Sequence, residues 1–314
     1  MARSTQRTAF APLSPIPGRA VPKAADVLEL LKPITWFPPI WAFLCGVISA
    51  GAPLRAQLPF ILLGMVLTGP VVCGTSQAIN DWFDRDVDAI NEPGRPIPSG
   101  RIGGRWGLWI ALIGSAVSLA LAALIAAFAS RWVVPATVLA LICAWAYSAP
   151  PARLKLSGLW GPGVVGFTYE GLSWFTGAAV AAGAMPSAPV LAVLLLYSIG
   201  AHGIMTLNDF KAIEGDRACG IRSLPATIGP VRAAWVACVV MAAPQLVVVL
   251  LLAALGHLLA ALVIAGLLAA QLALMPKLIA NPVGRAPWYN ATGTGLSVLG
   301  MLVAALGLAG GVHW

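Results

Sequence analysis

Eleven carboxylates serve a chain of 314 residues, and eight of them fall in two short segments. The first segment reads Asn80-Asp81-Trp82-Phe83-Asp84-Arg85-Asp86-Val87-Asp88 and runs on to Glu92. The second reads Asn208-Asp209-Phe210-Lys211-Ala212-Ile213-Glu214-Gly215-Asp216-Arg217. Side chains four apart share a helix face, so Asn80, Asp84 and Asp88 make a ladder of oxygen atoms, and Asp81 reaches the same side. Asp209 and Asp216, seven apart, make a second row, with Glu214 off it in a regular helix. Carboxylates this dense repel one another, and a hard divalent cation removes the repulsion. Mg²⁺ favours one or two carboxylates completed by water and substrate phosphate, so two facing rows suit metal-assisted chemistry on a phosphorylated substrate. The plainer alternative is internal pairing of the acids with Arg85, Arg95, Lys211 and Arg217.

Few other groups compete for a catalytic role. The chain has no GxxxxGK[ST] phosphate loop, no HExxH and no GxSxG. His202 lies seven residues before Asp209 and so on its face; it is a contact for substrate or for a metal-centred ring, or else a hydrogen-bonded interior histidine. Glu170, beside Tyr169, sits inside an apolar run, where an ionisable group is a functional candidate by default and a helix-pairing group otherwise. Asn208 reads either as a metal or phosphate ligand or as a helix cap. Arg153 and Lys155 either screen an anionic substrate or mark a cytoplasmic loop. His257 and His313 are incidental, and the five scattered cysteines imply no disulfide framework.

The elements that must carry these residues are membrane helices. Only 10% of the chain is charged, against roughly a quarter in a soluble domain, and 59% is apolar. That excludes a soluble enzyme, a disordered chain and a disulfide scaffold. Apolar stretches able to cross a ~30 Å hydrocarbon layer fall near 34–52, 57–80, 105–129, 132–149, 159–183, 188–207, 231–254, 257–276 and 289–311. The expectation is an all-α polytopic membrane protein with nine transmembrane helices. A basic, proline-rich arm over 1–32 precedes a single domain over 33–314, and no secretory signal is evident. With nine crossings, 17 of the 19 Lys and Arg residues lie on one side and only Arg55 and Arg131 on the other. The positive-inside rule then places the N-terminus and both acid segments in the cytoplasm and Trp314 outside. The +8 net charge is thereby an orientation signal, and no nucleic-acid partner is expected. A transporter would place acids near the midplane or on both sides; here they gather at one face. A structural assembly subunit would leave the acid rows without a role.

The Asn-Asp-x-x-Asp-x-x-x-Asp pattern from Asn80 to Asp88, followed by a second acidic stretch after a later span, resembles the UbiA superfamily of intramembrane prenyltransferases. The strings NDWFDRDVDAINEPGRPIPSGR from Asn80 and NDFKAIEGDRACGIRSLP from Asn208, with YSAPP at Tyr147 and YEGL at Tyr169, resemble its chlorophyll and bacteriochlorophyll synthase branch. Several quinone-directed relatives carry Asp where this chain has Ala212, which weakens a quinone reading; haem O synthase shares the general fold and stays an alternative.

The resemblance implies a UbiA-type bundle in which Asn80, Asp84, Asp88, Asp209 and Asp216 bind two Mg²⁺ and the diphosphate, the four aspartates being catalytic. Asp81, Glu214, Lys211, Arg217, Arg153 and Lys155 are second-rank diphosphate contacts, while Tyr169, Glu170, His202 and Asn208 are acceptor-binding candidates. The implied reaction esterifies the propionate of bacteriochlorophyllide a with geranylgeranyl or phytyl diphosphate. The implied setting is a bacterial inner or intracytoplasmic photosynthetic membrane, with association with other pigment-biosynthesis or light-harvesting assembly proteins left open.

Overall fold

A computed structural model describes residues 21–310 of the chain. Among them all regular structure is helical apart from one isolated bridge, Ser157 to Arg222. The helices are α1 (Ala24–Leu30), α2 (Phe37–Ser49), α3 (Leu58–Asn91), α4 (Trp106–Phe128), α5 (Val133–Ser148), α6 (160–182), α7 (Ala188–Asp209), α8 (Ile213–Cys219), α9 (Leu224–Ile228), α10 (Pro230–Ala254), α11 (Leu258–Ala280) and α12 (Pro282–Leu308). Hydrocarbon offers no partner to a backbone N–H or C=O, so apolar runs of this length close their own hydrogen bonds as helices. Leu250 and Leu262 on α10 and α11 are 61% and 70% exposed, as lipid-facing side chains are.

Each of the nine expected apolar stretches overlaps a helix, but six helices among the described residues are long and apolar enough to cross a membrane: α3, α4, α7, α10, α11 and α12. The other three fall short for separate reasons. α2 has 13 residues, about 20 Å at 1.5 Å per residue; it follows α1 and a 3₁₀ turn at Pro33–Thr35 through a 57° bend, and the bent pair counts as a seventh span if taken together. α5 is 16 residues long and ends ahead of Pro150-Pro151, which cannot continue a helix. α6 has the length, but its glycines, threonines and Glu170 dilute its apolar run.

The basic arm expected over 1–32 divides. Residues 1–20, like His313 and Trp314, lie outside the described residues. Residues 24–30 are helical rather than irregular, because Leu30 is fully buried and Arg101 clasps Asp26 at 2.7 Å and Glu29 at 2.6 and 2.7 Å. The four cysteines whose state is described, Cys45, Cys73, Cys143 and Cys238, are free thiols.

Two features position the site. α2 and α6 cross at glycines: a Cβ on Gly46 would strike the Trp174 carbonyl, and one on Gly177 would strike the Phe43 carbonyl. Small residues at such crossings let backbones approach closely. The second feature is a pair of π turns, Leu67–Cys73 around Pro70 in α3 and Phe167–Leu172 in α6. They meet through Tyr169, whose hydroxyl accepts from Gln77 Nε2 at 3.0 Å and from Cys73 Sγ at 3.2 Å. Each π turn carries an extra backbone residue per turn, which redirects the helix below it.

Candidate active site

The first acid row lies along the last turns of α3, and each aspartate in it meets a different basic residue. Asn80 Nδ2 donates to Asp84 Oδ2 at 3.0 Å and to Ser148 Oγ at 3.4 Å. The other Asp84 oxygen accepts from Lys155 Nζ. Asp88 Oδ2 accepts from Arg95 Nη1 at 2.8 Å. The spacing of four thus delivers the ladder read from the sequence.

Asp81 does not join it. Its side chain is 1% exposed, accepts from Lys32 Nζ at 2.6 Å and lies 3.6 Å from Arg95 Nη1. One step along the helix turns Asp81 toward the end of α1, where a buried carboxylate needs cations.

The second row is built differently. Asp209 ends α7, a 3₁₀ turn follows at Phe210–Ala212, and Asp216 sits on α8. Asp216 is buried and Oδ2 accepts from Ser223 Oγ at 2.5 Å. Burial raises the Asp216 carboxyl above the ordinary range, with the Ser223 bond opposing. Glu214 and Lys211 are exposed, and Arg217 is exposed with Nε donating to the Ala226 carbonyl at 3.2 Å. The Nε donor of Arg217 is thus turned to α9.

The two rows approach each other. Asp84 and Asp209 both lie near enough to act electrostatically on the Tyr147 hydroxyl, and Asp216 acts on Asp209. The connection between α5 and α6 spans the gap between the rows. Its Lys155 holds Asp84 and is lowered in basicity by burial, against the opposing pull of Asp84. Arg153 beside it has left-handed backbone (φ 38°) and a buried Nε with no protein partner.

Below the rows lies a cavity of 810 Å³. Its polar lining includes Asn80, Tyr147, Asn208, Lys211 and Asn290, and its apolar walls include Trp41, Leu67, Val72, Ala140, Leu172 and Met301. Tyr169 and Glu170 line it as well, and Glu170 is the one carboxylate that does so among the described residues. Asp84, Asp88, Asp209 and Asp216 are not lining residues; their helix neighbours Asn80 and Asn208 are. Asn208 lines the cavity, with Oδ1 accepting from Asn290 Nδ2 at 2.7 Å. His202 Nε2 lies 3.1 Å from the Leu159 carbonyl, the hydrogen-bonded arrangement among its two readings; it does not line the cavity, and it ties α7 to the start of α6.

Four residues entered the site unforeseen: Lys32, Ser148, Ser223 and Asn290. Asn290 alone carried a usable signal, as a polar group within an apolar span. The other three are common surface residue types whose partners lie 49, 68 and 7 positions away.

The donor set is all oxygen, carboxylate and amide, which suits a hard cation over zinc or copper. Among the described residues no three His, Cys, Asp or Glu side chains converge as a ready-made metal cage. Each row offers one or two carboxylates near a polar rim, the kind of site that substrate phosphate and water complete.

Comparison with known proteins supplies the family. The UbiA prenyltransferase family profile matches residues 35–295. The chain is 56% identical over 292 residues to the bacteriochlorophyll synthase 33 kDa chain of Cereibacter sphaeroides, covering 93% of this chain and 95% of that one. It is 38% identical to the chloroplastic chlorophyll synthase of Avena sativa, covering 89% and 75%. Among solved structures, a UbiA homologue from Archaeoglobus fulgidus bound to GPP and Mg²⁺ shares the fold at TM-score 0.65 and 24% identity, covering 86% of this chain and 99% of that one. A digeranylgeranylglyceryl phosphate synthase shares it at TM-score 0.69 and 21% identity, covering 90% and 98%. The chain is thus a multi-pass, prenyl-transferring membrane enzyme, and it belongs to the UbiA prenyltransferase family.

Proposed function

We propose that this chain is a bacteriochlorophyll synthase in activity, esterifying the propionate of bacteriochlorophyllide a with geranylgeranyl or phytyl diphosphate and releasing diphosphate. The observation that carries the reading is an apolar cavity ending in a polar rim beside two acid rows, in a chain alike along nearly its whole length to a bacteriochlorophyll synthase. Chlorophyllide is the second acceptor reading, supported by the more distant chlorophyll synthase likeness.

Two Mg²⁺ ions, when bound, supply charge to stabilise the departing diphosphate. Asn80, Asp84 and Asp88 would hold one, and Asp209 and Asp216 the other. Lys211 at the rim, with Arg153 and Lys155 above it, would add positive charge where negative charge grows. The acceptor carboxylate oxygen bonds to the allylic carbon as the carbon–oxygen bond to diphosphate breaks, and that electron pair leaves with the diphosphate. The acceptor is already ionised at neutral pH, so no side chain has to remove a proton. The apolar walls hold the isoprenoid and keep water from the electron-poor carbon. Tyr169, Glu170 and Asn208 face the acceptor.

In this reading the bundle makes nine crossings, with α2 and α5 as short spans and α6 as one of diluted apolarity. The N-terminal arm (1–32) and both acid rows are cytoplasmic, the domain over 33–314 is single, and the C-terminus is periplasmic in a bacterial photosynthetic membrane. Contact with other pigment-biosynthesis or light-harvesting assembly proteins belongs to the same proposal.

Membranes carrying the full chain, given radiolabelled geranylgeranyl diphosphate and a panel of bacteriochlorophyllide a, chlorophyllide a, a quinone precursor and haem, test the reading. Label entering bacteriochlorophyllide a in a Mg²⁺-dependent way is expected. Label entering only the quinone precursor or haem would overturn it.

A further inference from the structure

The two acid rows are carried by elements distant in sequence, and a continuous set of hydrogen bonds joins them. Lys155 Nζ holds Asp84 of the first row. One and three residues on, the same connection pairs backbone to backbone with the loop after α8. The Gly158 N–H donates to the Arg222 carbonyl at 2.8 Å, and the Arg222 N–H donates to the Leu156 carbonyl at 2.9 Å. The next residue, Ser223, donates to Asp216 of the second row at 2.5 Å.

Nothing else in α8 fixes Asp216 so closely. α8 has seven residues, it follows a 3₁₀ turn, and its Glu214, Gly215 and Arg217 are exposed. The crossing also leaves no room for a side chain at Gly158: a Cβ there would lie 2.6 Å from both the Arg222 carbonyl oxygen and the Leu224 nitrogen. Both are backbone atoms and cannot swing aside.

We propose that the segment 153–158 is a splint between the rows, and that Gly158 and Ser223 are positioning residues which set Asp216 at the distance from Asp84 that two diphosphate-bound cations require. The inference rests on the proposed metal role of the acid rows. Groups that hold a metal ligand from outside typically govern affinity by 10- to 100-fold. The splint acts through Asp216 alone, so its loss weakens the cation held by the second row and spares the first.

The test is titration of the detergent-purified full chain with Mn²⁺ in the presence of inorganic diphosphate, read by electron paramagnetic resonance. Ser223→Ala is expected to weaken one class of bound Mn²⁺ by roughly tenfold, with Ser223→Thr restoring it because the hydroxyl returns. Gly158→Ala is expected to weaken the same class; Ser223→Ala covers the case in which Gly158→Ala fails to fold. Asp84→Ala is the control for the other class. Loss in Asp84→Ala with unchanged binding in Ser223→Ala would overturn the splint while leaving the metal reading intact. Unchanged binding in both would overturn the metal reading and the splint with it.

Discussion

Asp81, Asp84 and Asp88 ride one uninterrupted helix, and each meets a basic side chain: Lys32, Lys155 and Arg95. Asp209 and Asp216 are divided between the end of α7 and the short α8, and the close partner of Asp216 is a neutral hydroxyl. Both rows are acidic and both follow a long apolar helix, yet the first is held by charge and the second by a backbone crossing. A helix spaces its own ligands, so its row needs only neutralising. A row divided between the end of one helix and a short second helix must be spaced by something outside it.

The largest effect expected from breaking this contrast is on turnover. Asp84→Ala and Asp216→Ala should each lower kcat by roughly 10²–10³-fold, the scale of losing one transition-state charge contact. Steady-state kinetics with Mg²⁺ in excess checks this, and near-normal turnover in either would remove that row from the chemistry.

Stability should separate the rows next. Lys32→Met leaves the 1% exposed Asp81 carboxylate short of its nearest cation, and breaking such a pair costs about 3 kcal/mol. Lys211→Met removes an exposed cation with no ion pair among the described residues and should leave the thermal midpoint unchanged. Its effect should appear in KM for the prenyl diphosphate, raised about tenfold, the value of one charge-assisted hydrogen bond. Thermal unfolding in detergent and prenyl-diphosphate titration together check the pair; equal destabilisation by both substitutions would erase the contrast.

The smallest effect lies at the margin of the first row. Arg101 holds the Glu29 carboxyl below its ordinary value through their hydrogen bonds. A carboxylate lowered on folding adds stability above its unfolded value, and that stability is lost as pH falls through the folded one. The wild-type thermal midpoint should therefore fall more steeply below about pH 4.5 than that of Arg101→Gln, and the two curves should converge in acid. Parallel curves would show that the pair does not hold α1 in place.

Much of this was legible in the residues themselves. The segregation of acids, the fourfold spacing on α3 and the long apolar runs are local properties, and local periodicity maps directly onto helix faces. What could not be read locally came where a partner from a distant segment decided the outcome. Asp81 follows Asn80 on the same helix, and Lys32 from another segment holds it in a buried ion pair. His202 kept its expected helix, but the Leu159 carbonyl captured its ring. Of the three expected spans that fall short, α2 and α5 stop early at bends and prolines, while α6 keeps its length but carries Glu170, glycines and threonines in its apolar run.

Composition and spacing alone determined that the chain lies in a membrane, that it is helical, and that its acids form two rows at one face. Those follow from hydrocarbon's refusal of unpaired backbone groups and from the pitch of a helix. Tertiary structure decided which acids face the cavity rim, which are neutralised by cations, and what spaces the two rows. These depend on side chains and backbone strands that meet across dozens of residues, and no local pattern encodes such a meeting.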